Sequence, residues 1–311
     1  MQKKQILFFG ILDCLLIALV AGVVVAGHHR SGQSDKIQVT ASFYPMAEFA
    51  RQVGGDKVAV NTLVKPGVEP HDYDPSPQDL VGLYQSKLFV YNGAGLEKWT
   101  DRIQKDLASN HVTAVRASDG IQLLAPFADD EEGSGAATDP HVWLDPMLAI
   151  KEVTAIKDGL VKIDPANQTY YEAHAQAFTQ QLTDLDTAYK NGLQQCQRRD
   201  IVTSHQAFRY LAQQYNLTSV SISGLSPDDE PSPQKLADVA QFAKAHDVQY
   251  IFFESLASPK LSQTIASEVG AKTLVFNPLE GLTDSDIALG KNYLSVQKEN
   301  LQNLRTALDC K

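Results

Sequence analysis

A run of 34 residues with no strand in it, "DPANQTYYEAHAQAFTQQLTDLDTAYKNGLQQCQ" (164–197), divides this chain into two parts of similar make-up. Asp164 suits an N-cap and Pro165 a first helical position, and the only mid-run glycine is Gly192. The pattern predicts one helix of about 30 residues, about 45 Å long at 1.5 Å per residue. Before it stand four strand-like runs: "KIQVTASF" (36–43), "KVAVNTLV" (57–64), "KLFVYNG" (87–93) and "VTAVRA" (112–117). After it stand four more: "DIVTSH" (200–205), "TSVSIS" (218–223), "VQYIFFES" (248–255) and "KTLVFNP" (272–278). Helical patterns such as "PMAEFARQVG", "PQKLADVAQFAKAHD", "PKLSQTIASEVG" and the closing "DIALGKNYLSVQKENLQNLRTALD" separate them. Apolar strands alternating with helices imply parallel sheets covered on both faces. The expected fold class is α/β: two lobes, each with a four-stranded, mainly parallel sheet flanked by helices, joined by one long rigid helix. The expected boundaries are a linker at 27–36, an N-terminal α/β lobe at 37–163, the connecting helix at 164–197 and a C-terminal α/β lobe at 198–311. No internal repeat is evident.

The first 26 residues stand apart. "MQKK" is a basic start, and "ILFFGILDCLLIALVAGVVVA" is apolar except for Asp13. This is the pattern of an export signal or a signal anchor, and it places the rest of the chain on the extracytoplasmic side, periplasmic or at the cell surface. Val24-Val25-Ala26 offers a cleavage site, yet the run is long enough to span a bilayer uncut, and both readings stay open. Cys14 lies inside the apolar run after Leu12-Asp13, which is not a lipoprotein context. Dropping residues 1–26 removes Lys3, Lys4 and Asp13 and moves the net charge from −10 to −11. That balance argues against nucleic acid and is compatible with a cationic ligand. Cys196 and Cys310 then remain, either as a disulfide tying down the C-terminus or as two separate thiols. The stretch "PFADDEEGSGAATDP" (126–140) reads as a solvated loop or as an acidic flap that gathers cations.

Four residues carry the candidate chemistry. His71, in "VEPHDYDPSPQDL", sits between Pro70 and Pro75 beside Asp72 and Asp74. The prolines deny a regular helix or central strand, so His71 occupies a stiffened loop. His141, in "TDPHVWLDP", is again bracketed by prolines and flanked by Asp139 and Asp145. His205 ends the strand "DIVTSH", and Glu280 follows "KTLVFNP", where open parallel sheets bind ligands outside the carboxyl ends of strands. Three imidazoles and a carboxylate suit tetrahedral Zn²⁺. The spacings of 70, 64 and 75 residues exclude a zinc-finger arrangement. Each histidine taken alone is more often an ordinary surface or hydrogen-bonding residue, as are His28, His29, His111, His174 and His246. Asp145, Trp143 and Glu254 are candidates for supporting the site or for ordinary structure.

The segments "VKPGVEPHDYDPSPQDL", "DPHVWLDP", "TSHQAFRYLAQQY" and "FNPLEGLT" together resemble the four metal-ligand segments of the zinc/manganese group (cluster 9) of solute-binding proteins for metal ABC importers. The resemblance runs in order through residues 37–309. It implies two α/β lobes with metal at their interface, no enzymatic activity, and His71, His141, His205 and Glu280 as metal ligands. It also implies that the chain works as a monomer with an ABC-importer permease in the membrane. Zinc members of the group have His at the third position, whereas manganese members generally have Glu there and Asp fourth. His205 therefore implies Zn²⁺ as the transported ion, in keeping with the softness of imidazole donors. The rival readings are a manganese-binding member, a zinc-dependent hydrolase with Glu280 as its base, and a surface interaction protein with structural metal. Two departures mark this chain: the stretch before the second ligand is acidic where many zinc members are histidine-rich, and the lipoprotein cysteine box is missing.

Overall fold

Each of the eight strand-like runs contains a strand, shorter than the run because its carboxyl end turns into a loop. The computed structural model describes residues 36–125 and 138–311; the export segment, the linker up to residue 35 and acidic residues 126–137 lie outside the described residues. The strands are β1 (Ile37–Ala41), β2 (Val58–Thr62), β3 (Leu88–Tyr91), β4 (Thr113–Arg116), β5 (Asp200–Thr203), β6 (Thr218–Ser221), β7 (Tyr250–Phe253) and β8 (Lys272–Val275). All pairings are parallel, in the orders β2-β1-β3-β4 and β6-β5-β7-β8. The two orders are the same topology, a repeat of architecture that the sequence does not display. Each sheet reverses its strand order between its first and third strands, which opens a crevice at their carboxyl ends.

The helices are α1 (Tyr44–Gly54), α2 (Pro77–Tyr84), α3 (Thr100–Ser109), α4 (Pro146–Ile163), α5 (Gln168–Gly192), α6 (Arg209–Gln214), α7 (Pro233–Ala245), α8 (Lys260–Val269), α9 (Asp284–Ala288) and α10 (Tyr293–Ala307). Two expectations change. The long helix α5 has 25 residues, about 38 Å of rise, after a 3₁₀ turn at Pro165–Asn167. It stops at Gly192, where an added Cβ would lie 3.2 Å from Leu301 of α10. The residues beyond leave the helix to pair with the C-terminus: Arg198 donates its N–H to the Leu308 carbonyl at 3.1 Å, and Lys311 to that of Gln195 at 3.0 Å. Cys196 and Cys310 lie opposite one another in this pairing and are disulfide-bonded across 114 residues of sequence. The closing helical pattern also divides, because Gly290 adopts φ +69° between α9 and α10.

One apolar core runs through both halves. It holds Val39, Phe49 and Leu88 from the first, Phe178, Leu182 and Leu185 from α5, and Ile201, Phe208 and Phe276 from the second. Phe49 meets Phe178 at 5.8 Å and Tyr293 of α10 at 5.1 Å between ring centroids. Smaller clusters, around Phe89 and Trp99 in the first half and Ile251 and Ile265 in the second, complete each sheet locally. The long helix is therefore part of a shared interior as well as a connector.

Glu152 of α4 is fully buried, and neither carboxylate oxygen has a hydrogen-bond partner. Burial, aided by the nearby Glu97, pushes its pKa well above the ordinary value. The folded state then holds a proton that the unfolded chain releases above pH ~4.5, so this group's contribution to stability falls as pH rises past that point. Glu152→Gln should stabilise the protein by about 1–2 kcal/mol at pH 8. The gain should shrink below pH 5; urea midpoints at the two pH values measure both.

Candidate metal centre

The carboxyl ends of β2, β5 and β8 carry three of the four candidates into one place, and a loop ahead of α4 brings the fourth. His71 lies in the loop after β2, its N–H donated to Glu69 Oε1 at 3.1 Å. His141 precedes the 3₁₀ turn Val142–Leu144. His205 follows β5, and Glu280 follows β8. His141 and His205 are fully buried and Glu280 is 1% exposed. The His71 side chain is 9% exposed and reaches the surface through a cavity of about 180 Å³, whose walls include Asp72, Asp228 and Asp229.

The ligand-type atoms form a cage. Glu280 Oε1 lies 3.2 Å from His71 Nε2, 3.3 Å from His141 Nε2 and 3.2 Å from His205 Nε2. His141 Nε2 is 3.2 Å from His71 Nε2 and 3.3 Å from His205 Nε2. Tetrahedral Zn²⁺ with bonds near 2.0–2.1 Å requires ligand-to-ligand edges of about 3.3 Å. The five edges match that requirement.

Carboxylates behind the rings fix how the histidines face. Asp139 Oδ1 accepts from both the backbone N–H and the Nδ1–H of His141, at 3.0 and 2.9 Å. Glu254, at the end of β7, accepts from His205 Nδ1 at 2.6 Å and from its N–H at 3.2 Å, and also from the Ser204 hydroxyl. An Nδ1–H committed to a carboxylate leaves the Nε2 lone pair pointing into the cage. His205 and Glu254 end β5 and β7, the two strands that flank the crevice of the second sheet.

The charges are tightly coupled. Burial opposes ionisation of Glu280, but the His205 charge and hydrogen bonds from the three imidazoles hold its pKa well below the carboxylate range. Burial likewise opposes the charged form of His205, yet Glu254 and Glu280 raise its pKa well above the usual imidazole value. His141 is also raised, by Asp139 and Glu280 against burial, whereas burial dominates at His71 and lowers it. Glu69 is pushed up to about 9 by burial and the neighbouring Glu280.

The structure thus brings together His71, His141, His205 and Glu280, all within 4.8 Å of one another. Of the three candidate supporting residues, Glu254 touches His205. Trp143 donates its indole N–H to the Pro278 carbonyl at 2.8 Å, two residues before Glu280. Asp145 does neither; it caps α4 by accepting from the Met147 N–H at 2.8 Å. Sequence reasoning noted Asp139 only as a flanking acid and passed over Glu69. An acid two residues ahead of each of His71 and His141, with one proline between, was the available signal.

Glu254→Gln should weaken zinc binding roughly 10- to 100-fold, because the amide accepts one hydrogen bond less strongly and no longer offsets the ion's charge. Isothermal competition against a chelator of known affinity measures it.

Known proteins share this architecture. The family described as zinc-uptake complex component A, periplasmic (ZnuA), matches residues 39–307. The high-affinity zinc uptake system protein ZnuA of Bacillus subtilis is 40% identical over 315 residues, covering 99% of each chain. The zinc-binding lipoprotein AdcA of Streptococcus pneumoniae is 39% identical over 96% of this chain, which spans 61% of the length of AdcA. The crystal structure of the Zn(II)-bound ZnuA-like domain of that AdcA superposes with a TM-score of 0.77 at 39% identity, covering 88% of this chain and 99% of the domain.

Proposed function

Because the chain belongs to the ZnuA family, the periplasmic component A of zinc-uptake complexes, we propose that His71, His141, His205 and Glu280 hold the Zn²⁺ that it carries. The protein is a zinc-type solute-binding component of a metal ABC importer, not an enzyme. That membership displaces the hydrolase and structural-metal readings. Zn²⁺ is the cargo, captured outside the cytoplasm and handed to a membrane permease. The observation that carries the ligand assignment is the cage itself: four inward-facing donor atoms all within 4.8 Å of one another, five of their six edges at 3.2–3.3 Å. Three neutral imidazoles and one carboxylate leave one net positive charge with Zn²⁺ bound, and Asp139 and Glu254 offset it from behind. The nitrogen-rich donor set favours Zn²⁺ over Mn²⁺, which prefers carboxylate oxygen.

The N-terminal apolar run delivers the chain across the membrane, and one molecule serves one permease as a monomer. Among the described residues no helix is long and apolar enough to cross a membrane. Retained uncut, residues 6–26 would anchor the chain to that membrane.

Competitive titration of the exported part with Zn²⁺ and Mn²⁺ tests the reading. Zinc should bind at least a hundredfold tighter than manganese, and chelation should strip the ion while the far-ultraviolet circular dichroism stays native. Equal manganese affinity overturns the metal assignment, and unfolding on chelation overturns the carrier role.

A further inference from the structure

Leu279, Glu280 and Gly281 form a short segment pinned at both ends to the first half of the chain. Upstream, the Trp143 indole holds the Pro278 carbonyl at 2.8 Å. Downstream, the Gly67 N–H holds the Leu282 carbonyl at 3.1 Å. Between those points Leu279 is fully buried with φ +58°, a region costly for a bulky side chain. Gly281 follows, packed so that an added Cβ would lie 3.0 Å from Leu256. The segment thus has a strained residue on one side of the ligand and a glycine on the other.

Glu280 turns Oε1 to the imidazoles, while its Oε2 is buried and has no hydrogen-bond partner. Glu280 also lines a cavity of about 330 Å³, separate from the one that reaches His71, with Arg51, Lys65, Lys291 and Tyr44 in its walls. Among the described residues Glu48 is the only other acid lining it. Lys291 is already held by Asp286 at 3.1 Å and Glu299 at 2.7 Å. Arg51 and Lys65 are not committed in that way: Arg51 donates to the Thr62 hydroxyl at 3.1 Å, and Lys65 to the Thr62 carbonyl at 2.9 Å.

We propose that zinc is released when Glu280 swings out of the cage into this second cavity, exchanging the ion for Arg51 and Lys65. The inference rests on Glu280 being a zinc ligand. Withdrawal removes the only anionic donor and leaves three neutral imidazoles on the ion. The carboxylate is not stranded, because charge-assisted hydrogen bonds replace the metal bond. Rotation at Leu279 and Gly281 suffices for the move, so both pinned ends stay in place. Arg51 and Lys65 act as positioning residues that set the release rate.

The test is the rate at which zinc-loaded protein yields its ion to excess EDTA. Arg51→Met/Lys65→Met is compared with the parent in two backgrounds, one with Glu280 intact and one carrying Glu280→Gln. Both replaced side chains are exposed, so the variant retains the fold. With Glu280 present the double variant should release zinc roughly tenfold more slowly. In the Glu280→Gln background the same change should have no effect, because an amide gains little from a cation. Equal slowing in both backgrounds is the mark of a simple field acting on the ion and overturns the proposal, as does unchanged release with Glu280 present. Wild-type zinc affinity in Glu280→Gln alone removes Glu280 from the ligand set, and the proposal falls with it.

Discussion

His205→Ala should raise the zinc Kd by about two orders of magnitude and leave the secondary structure intact. A closed four-ligand zinc site is worth roughly 10–16 kcal/mol, so one ligand of four accounts for about 3 kcal/mol. Water can enter the fourth position, which is why binding weakens rather than vanishes. The substitution also deprives Glu254 of a partner held at 2.6 Å. His71→Ala serves as the companion, since Glu69 accepts from the His71 backbone N–H, which alanine keeps. Similar losses in the two variants, read by chelator competition, assign the effect to coordination; native affinity in either would remove that residue from the cage. The pH profile carries a further signature. Glu254 and Glu280 stabilise the protonated form of His205, so its proton is retained to a pH above the usual imidazole range and must leave as zinc enters. Apparent zinc affinity should therefore fall with acidification starting above pH ~6.5, with a shallower slope in His205→Ala.

Replacing both Cys196 and Cys310 with serine should cost about 2–4 kcal/mol of stability with little change in zinc affinity. The bond closes a loop of 114 residues, for which chain entropy alone gives about 4–5 kcal/mol as an upper figure. The realised loss is smaller because the hydrogen bonds between residues 195–198 and the C-terminal residues hold the same junction together. Urea unfolding of oxidised wild type and the double variant measures the difference. An unchanged midpoint would show that those backbone bonds suffice.

The strands were legible because each is a short apolar run with punctuation on either side, and their order followed from alternation with helices. Helix ends were less legible. Gly192 and Gly290 are both single glycines inside helical patterns, and the first packs closely against Leu301, a neighbour more than a hundred residues away that local sequence does not reveal. The four cage residues could be nominated from proline brackets and strand ends, and the resemblance of their segments to the metal-binding group made them a ligand set. Their supporting acids needed the fold: nothing near Glu254 in sequence says that it meets His205, which lies one strand away in the sheet. The acidic stretch, read as a solvated loop or a cation-gathering flap, falls outside the described residues except at its end, where Asp139 supports His141.

The interior shared by both halves has a consequence for fidelity. Binding proteins whose lobes shut around a ligand can reject a poor fit twice, on contact and again on closing. Halves that hold Phe49, Phe178, Phe208 and Phe276 in one interior are poorly suited to shutting in that way. With the proposed ligands His71, His141, His205 and Glu280, discrimination between metals then rests on their four donor atoms, and an intruder of the right size and softness would be retained as well as the proper cargo.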